Sequence, residues 1–418
     1  MCPIHALDRR GKVLMLPSTA SKPLEDVWMK IKRAATWILA ALIGALPCAT
    51  AAAEPYNIYV ITALTGQSAF LGSEEAKGLA VLEAQVNKAG GVRGRQIHFV
   101  IQDDQSIAQN SVELLNESIA KKIPVLLGTS LVSGCGAMLP VIANGPVVYC
   151  FSPGIHPPAG SYMFSASIST ADYIVATMRY LKSKGLHKIA LMTSTDATGQ
   201  DADRSIDAAV NAPENGGTLS IVDREHFNVT DLSVAAQISK IKASGAQVAI
   251  LWTVGTPFGT LLREAVQGGL DIPLITSAGN LNYAQLEGYD SFMPDNLLIM
   301  AAPWAGPNAF TNPAFRKNIA AYVDAFKPSG IRPDEGYSLS WDPALLILDA
   351  FRHLGFDATA AQIRDYIAGT KGFVGINGVY DFATVPQRGI DINWLVMVRW
   401  DKKTKSLIGV SKPGGVAL

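Results

Sequence analysis

The stretch Asn87-Lys88-Ala89-Gly90-Gly91-Val92-Arg93-Gly94-Arg95-Gln96-Ile97-His98-Phe99-Val100-Ile101-Gln102-Asp103-Asp104 holds one complete passage from helix to strand, and the fold follows from reading it. Upstream, Ser73 to Ala89 carries Ala76, Leu79, Ala80 and Val86 near one helical face, with Glu83 intruding on it, and Gly90-Gly91 stops the helix. Downstream, Ile97 to Gln102 is a β-rich run ending in Asp103-Asp104. The same alternation extends outward. Tyr59 to Thr62 is a short strand before the helix, and Val112, Leu115 and Ile119 mark a helix after the second strand. Pro124 to Gly128 and Pro146 to Cys150 are two more apolar strands bounded by Gly and Pro.

The rhythm then repeats. Ser169-Thr170-Ala171-Asp172 reads as a capping box before a helix with Ile174, Met178 and Leu181, closed by Gly185. Lys188 to Thr193, Ser220 to Val222, Gln247 to Trp252 and Ile272 to Thr276 read as strands. Between them, Asp231 is expected to cap a helix with Val234, Ile238 and Ile241, and a second helix runs from Phe258 to Gln267. Strands alternating with helices predict parallel sheets covered on both faces, and two such runs predict two doubly wound α/β lobes. After Pro303 the pattern changes to two long helices, Pro313 to Phe326 and Tyr337 to Leu354, and a terminal antiparallel strand pair, Val396 to Trp400 with Leu407 to Val410.

The N-terminus stands apart from this pattern. Met29-Lys30-Ile31-Lys32-Arg33, the apolar run Ala34 to Leu46 and the small residues Ala49 to Ala53 have the layout of a secretory signal peptide, with Glu54 as the first mature residue. Residues before Met29 fit no such signal, so translation is expected to begin at Met29. An uncleaved anchor is the alternative, but the run is shorter than the roughly 20 residues that span a bilayer. Cys48 follows Pro47 rather than a small residue, which argues against a lipoprotein. With 1–53 removed the chain is mildly acidic, and the formal net charge of the whole is zero, so no basic face is offered to nucleic acid. Cys135 and Cys150 remain; export permits a disulfide between them, and two buried thiols are the other reading.

Signatures of catalysis are missing. The sequence has no G-x-G-x-x-G after its first strand, no P-loop, no G-x-S-x-G and no H-E-x-x-H, and its histidines are scattered without metal-ligand spacing. Neither enzyme nor cofactor is therefore expected. In open parallel sheets a ligand lies beyond the carboxyl ends of the strands. Three loops take that position: Leu64 to Gly72, Thr129 to Cys135, and Ser152-Pro153-Gly154-Ile155-His156. Each carries Gly and hydroxyl residues, which also serve ordinary turns and caps.

The opening stretch, with Thr65-Gly66, Ser152-Pro153-Gly154, Trp341-Asp342-Pro343-Ala344, Gly378-Val379-Tyr380-Asp381-Phe382 and Gly389, resembles the type I periplasmic solute-binding proteins of ABC importers, in the leucine/isoleucine/valine-binding branch. The resemblance covers essentially all of the chain after the leader. It implies two Rossmann-like lobes joined by a three-strand hinge, lobe one at 54–167 plus 303–377 and lobe two at 168–302 plus 378–418, closing on a small molecule. It implies a monomer that delivers its ligand from the periplasm to an inner-membrane permease. The positions it assigns to ligand contact are Phe70, Leu71, Ser130, Leu131, Val132, Ser133, Gly154, Ile155, His156, Thr198, Trp252, Val254, Ala278, Trp304 and Tyr337.

Two of these depart from the pattern of amino-acid binders. The family's threonine past the Pro-Gly step falls on His156, and the carboxylate that pairs with an α-ammonium falls on Ala278, with no acid elsewhere in Thr276-Ser277-Ala278-Gly279. A buried ammonium without a counter-charge is expensive. The expected ligand is therefore a small organic carboxylate, held by hydroxyls and His156, with an aromatic acid favoured because Phe70, Trp252, Trp304 and Tyr337 would wall an apolar body. An amino-acid binder and a ligand-sensing receptor on the same fold are the alternatives.

Overall fold

The computed structural model describes residues 54–418; the leader assigned to 1–53 lies outside the described residues. The first sheet is made of β1 (Tyr56–Thr62), β2 (Ile97–Asp103), β3 (Val125–Gly128), β4 (Val147–Cys150) and β5 (Met163–Ser165), in the order β2-β1-β3-β4-β5. Every pairing is parallel, with Ile61 facing Gln102 on one side and Gly128 on the other. Connections run through α1 (Ala69–Lys88), α2 (Ala108–Ala120) and α3 (Val132–Met138). Strands β3 and β4 are buried along their whole length, as continuous apolar runs in a sheet covered on both faces should be.

The second sheet repeats this winding. It contains β6 (Lys188–Ser194), β7 (Ser220–Phe227), β8 (Val248–Trp252), β9 (Leu274–Thr276) and β10 (Leu297–Ala301), in the order β7-β6-β8-β9-β10. Helices α4 (Thr170–Ser183), α5 (Ala197–Val210), α6 (Ala235–Ala243), α7 (Thr256–Gln267) and the short α8 (Tyr283–Gly288) accompany it. The chain continues through α9 (Pro313–Phe326), α10 (Glu335–Leu354) and α11 (Ala360–Gly369) to a small hairpin of β11 (Lys371–Val374) and β12 (Val379–Asp381). Strands β13 (Val396–Asp401) and β14 (Ser406–Gly409) then join the second sheet antiparallel beside β10, as the terminal pair was expected to. In both sheets the winding reverses between the first and third strands in chain order: β1 and β3, and β6 and β8. Those two switch points are where a ligand is expected.

Three sequence expectations need correction. Helix α1 starts at Ala69, before Ser73, because Gly72 lets its first turn lie on the end of β1; a Cβ there would come within 2.1 Å of the Ala63 carbonyl. Strand β7 runs five residues past Val222, through Asp223 to Phe227. It is an edge strand, and edges tolerate charge. Asp231 does not cap α6: it accepts the Asn228 N–H at 2.8 Å, while the Val234 N–H at the helix start goes to the Glu264 carboxylate of α7, also at 2.8 Å.

Cys135 of α3 and Cys150 at the end of β4 form a disulfide, with Cα atoms 6.2 Å apart and a sequence separation of 15. Closing a loop of that size is worth about 3 kcal/mol in the chain-entropy account. The double variant Cys135→Ala/Cys150→Ala is expected to lose that much in urea unfolding. A loss below about 1 kcal/mol would mean that the native packing, not the bridge, holds this corner. Among the described residues no helix is long and apolar enough to cross a membrane.

Candidate functional site

A cavity of about 130 Å³ lies where loops from the carboxyl ends of both sheets meet. The loop after β1 contributes Gln67 and Ser68, with Leu71 from the first turn of α1. The loop after β3 contributes Ser130 to Ser133, and the loop after β4 contributes Ser152, Pro153 and Gly154. Facing them, the second sheet sends Asp196, Ala197 and Thr198 from beyond β6, Trp252 and Val254 from β8 and its loop, and Ser277, Ala278 and Gly279 from beyond β9. Ser167, Thr170 and Tyr173 line it near the start of α4, and Glu335 and Leu339 line it from α10.

The walls combine apolar surface (Leu71, Trp252, Tyr173, Val254, Leu339) with hydroxyls. Ser130 Oγ and Thr253 Oγ1 are buried without a hydrogen bond, so polar capacity is left over around the cavity. None of the lining residues is Lys, Arg or His. The carboxyl of Asp196 is committed locally, accepting from the Gly199 N–H at 3.0 Å and from Ser194 Oγ at 2.7 Å. Glu335 is different. It is 4% exposed, its Oε2 has no partner, and the Trp304 indole N–H lies beside it without closing a hydrogen bond. Burial, and then the charge of the adjoining Asp334, pushes its carboxyl up to about 8. Burial therefore favours the neutral carboxyl. Behind it Glu74 and Asp334 form a second buried acidic pair, both raised by burial, Glu74 the more. Asn282 Nδ2 donates to Glu74, and the Tyr283 N–H donates to Asp334 at 2.9 Å.

The loop after β4 is held from outside. Arg388, on the segment between β12 and β13, donates Nη1 to Ser165 Oγ at 2.8 Å and to the Ser167 carbonyl, and Nη2 to the Ile155 carbonyl at 2.6 Å. Its neighbour Gln387 accepts the Gly160 N–H at 3.0 Å and donates to the Ser161 carbonyl at 2.9 Å. These two side chains tie down residues 155–167, the segment that follows Gly154.

Of the positions singled out in the sequence, the structure brings Leu71, Ser130, Leu131, Val132, Ser133, Gly154, Thr198, Trp252, Val254 and Ala278 to this one cavity. The other five do not reach it. His156, expected to face a carboxylate, turns away: its Nε2 lies 2.9 Å from Asp201 Oδ1, an oxygen that Arg204 also binds at 3.2 Å. Ile155 packs with the interior residues on the disulfide side of the first sheet. Phe70 packs on the main core, its ring near Gly255. Trp304 is in that core as well, and Tyr337 stacks edge-on against Phe326 with centroids 5.2 Å apart. Ile155, Trp304 and Tyr337 are thus taken into packed interior, whereas His156 stays half exposed and is held by its Asp201 partner. The sequence reading missed Ser167, Thr170 and Tyr173, which follow a three-residue strand too short to be recognised. It also missed Glu335, because an acid in the first turn of a helix is ordinary dipole chemistry and carries no signal of its own.

Several known proteins similar to this chain are solute binders. A leucine-, isoleucine-, valine-, threonine- and alanine-binding protein of Pseudomonas aeruginosa is 25% identical over 299 residues, 69% of this chain and 76% of its own length. Among solved structures, a solute-binding protein of an ABC transporter from R. palustris, in complex with benzoate, superposes with a TM-score of 0.71 at 17% identity, covering 87% of this chain and 98% of its own. A branched-chain amino acid transporter substrate-binding protein from Streptococcus pneumoniae, in complex with isoleucine, superposes with a TM-score of 0.70 at 18% identity, covering 85% of this chain and 100% of its own. Members of the family bind solutes and are not enzymes. The sequence model of the periplasmic binding protein family matches residues 55–405, and this chain belongs to that family, as a type I member like the leucine/isoleucine/valine-binding proteins.

Proposed function

We propose that this protein captures a small organic carboxylate, an aromatic acid in preference, and delivers it to an inner-membrane ABC permease. It acts as a monomer in the periplasm, after cleavage of the leader near Glu54. The observation that carries the reading is the cavity itself: about 130 Å³, walled by Trp252 and Tyr173, and lined by hydroxyls with no cation. An apolar cavity of about 150 Å³ admits a benzene ring, so a single ring is the right size. Neutral hydroxyl donors can hold a carboxylate, as Ser130, with its unpartnered Oγ, is placed to do. Two sheets facing each other across the cavity suit lobes that close by a hinge. We draw the last crossing between lobes nearer Ile390 than residue 378, since β12 pairs with β11 and Arg388 bonds into residues 155–167.

Glu335 favours a second reading. It supplies to the cavity an acid that the loop around Ala278 lacks, and an ionised Glu335 could pair with the ammonium of an amino acid. A thermal-unfolding screen of residues 54–418 separates the two. A binder gains RT ln(1 + [L]/Kd), about 2.7 kcal/mol at roughly a hundred times Kd. Benzoate and its ring-substituted relatives are expected to raise the melting temperature. A shift with leucine or isoleucine, and none with the aromatic acids, would overturn the carboxylate reading.

A further inference from the structure

We propose that Glu335 meets the ligand as a protonated carboxyl, so that capture of an organic acid in this cavity is coupled to one proton and weakens when Glu335 ionises. The inference rests on the carboxylate reading above. Its basis is the arrangement around the side chain. Glu335 is the first residue of α10, almost wholly buried, on the cavity wall, with Oε2 unpartnered. From its own element it faces Asp334. Tyr173 of α4 and Tyr322 of α9 stand within electrostatic reach, and Trp304 offers its indole N–H. Glu74 of α1 lies behind, its ionisation opposed by the charge of Asp334. Among cations, Lys77 acts on Glu74, Arg332 on Asp334 and Arg388 on Tyr173. Asp196 is the other acid on the lining.

An ionised Glu335 would thus share a cation-free cavity with the anionic ligand, and like charges in a buried site repel strongly. The protonated form removes that repulsion and adds a donor. Its O–H can be given to the ligand's carboxylate or to a ring hydroxyl, and its carbonyl oxygen can accept; a hydrogen bond to an anion is the stronger kind. The protein's burial of this carboxyl already favours the neutral state, up to a pH of about 8. Below that pH the ligand binds with no net proton change. Above it, each ligand bound takes one proton from solvent onto Glu335.

The test is titration calorimetry of the chain from Glu54 to Leu418 with benzoate, whose own carboxyl is ionised throughout, between pH 6 and pH 10. The wild-type Kd is expected to be level at the acid end and to weaken about tenfold per pH unit above about pH 8. Above that pH, heats in buffers of high and low ionisation enthalpy should differ by one proton taken up; this readout needs no variant. Glu335→Gln, which carries a permanent neutral amide, should show no such slope. Benzoate binding with a level Kd across the whole range, or with no proton uptake, would overturn the inference and leave the carboxylate reading standing. A slope that survives Glu335→Gln would overturn it too, moving the proton to Glu75, which lies behind Ser130. If leucine binds instead, more tightly as pH rises, and Glu335→Gln abolishes this, Glu335 is an ionised partner for an ammonium, and both proposals fall.

Discussion

Arg388→Met is expected to lower the unfolding free energy by about 3 kcal/mol, and to weaken ligand capture without touching the ligand. The methionine keeps an apolar stem and removes the guanidinium. Three acceptors then lose their donor: Ser165 Oγ, the Ser167 carbonyl and the Ile155 carbonyl. Each buried polar group left unpaired costs about 1–3 kcal/mol. The guanidinium's own burial, which pulls its pKa down to about 10, offsets part of this, since removing a buried charge recovers its desolvation cost. Arg388→Lys keeps the charge but not the fork, and should fall between the two. Denaturant unfolding at one pH measures the loss, and a binding titration tests whether the segment that follows Gly154 has loosened. A stability change under about 1 kcal/mol would show that this segment is held by its own packing.

A second large effect is loss of stability as pH rises from about 4.5 to about 8. Glu75 of α1 is fully buried; Thr62 Oγ1 donates to its Oε2, and Oε1 has no partner. Burial pushes this carboxyl up to about 8 from an ordinary 4.5, against the pull of the Thr62 hydroxyl and of the nearby Ser130. The fold therefore favours the protonated form. Its stabilising share is complete below about pH 4.5 and is lost as pH rises, until the folded-state value near 8 is passed. One such group contributes a slope of about 1.4 kcal/mol per pH unit within that window. Glu335 adds the same sign over the same range. Glu75→Gln is close in shape and does not ionise. The variant should show a flatter dependence of unfolding free energy on pH between 5 and 8, and should overtake the wild type at the upper end. Parallel curves for the two proteins would remove Glu75 from the account.

These two residues mark where sequence reading stops. The strand–helix alternation was legible because its periodicity is local: Ile97 to Gln102 and Lys188 to Thr193 announce buried strands wherever they are placed. The three loops were legible as a site because parallel strands put their carboxyl ends at one edge. Most of the singled-out loop positions duly line one cavity, including Ser130, Gly154, Thr198 and Ala278. Side-chain direction was not legible. His156 has the chemistry for a carboxylate and the right place in the loop, yet Asp201, from the opposite sheet's helix, takes its ring. Glu335 has no distinguishing neighbours in sequence, yet it supplies an acid to the cavity where Ala278 does not.

By itself, then, the sequence determined two doubly wound sheets, their switch points, and the loops that meet there, since hydrophobic period and turn chemistry act over a few residues. Only the tertiary structure decided which polar groups face the cavity and which are taken up elsewhere, as with Arg388 against residues 155–167 and Asp201 against His156. The physical reason is that a buried polar group must find a partner wherever the packed chain provides one. Such partners stand far apart in sequence, and only the folded chain brings them together.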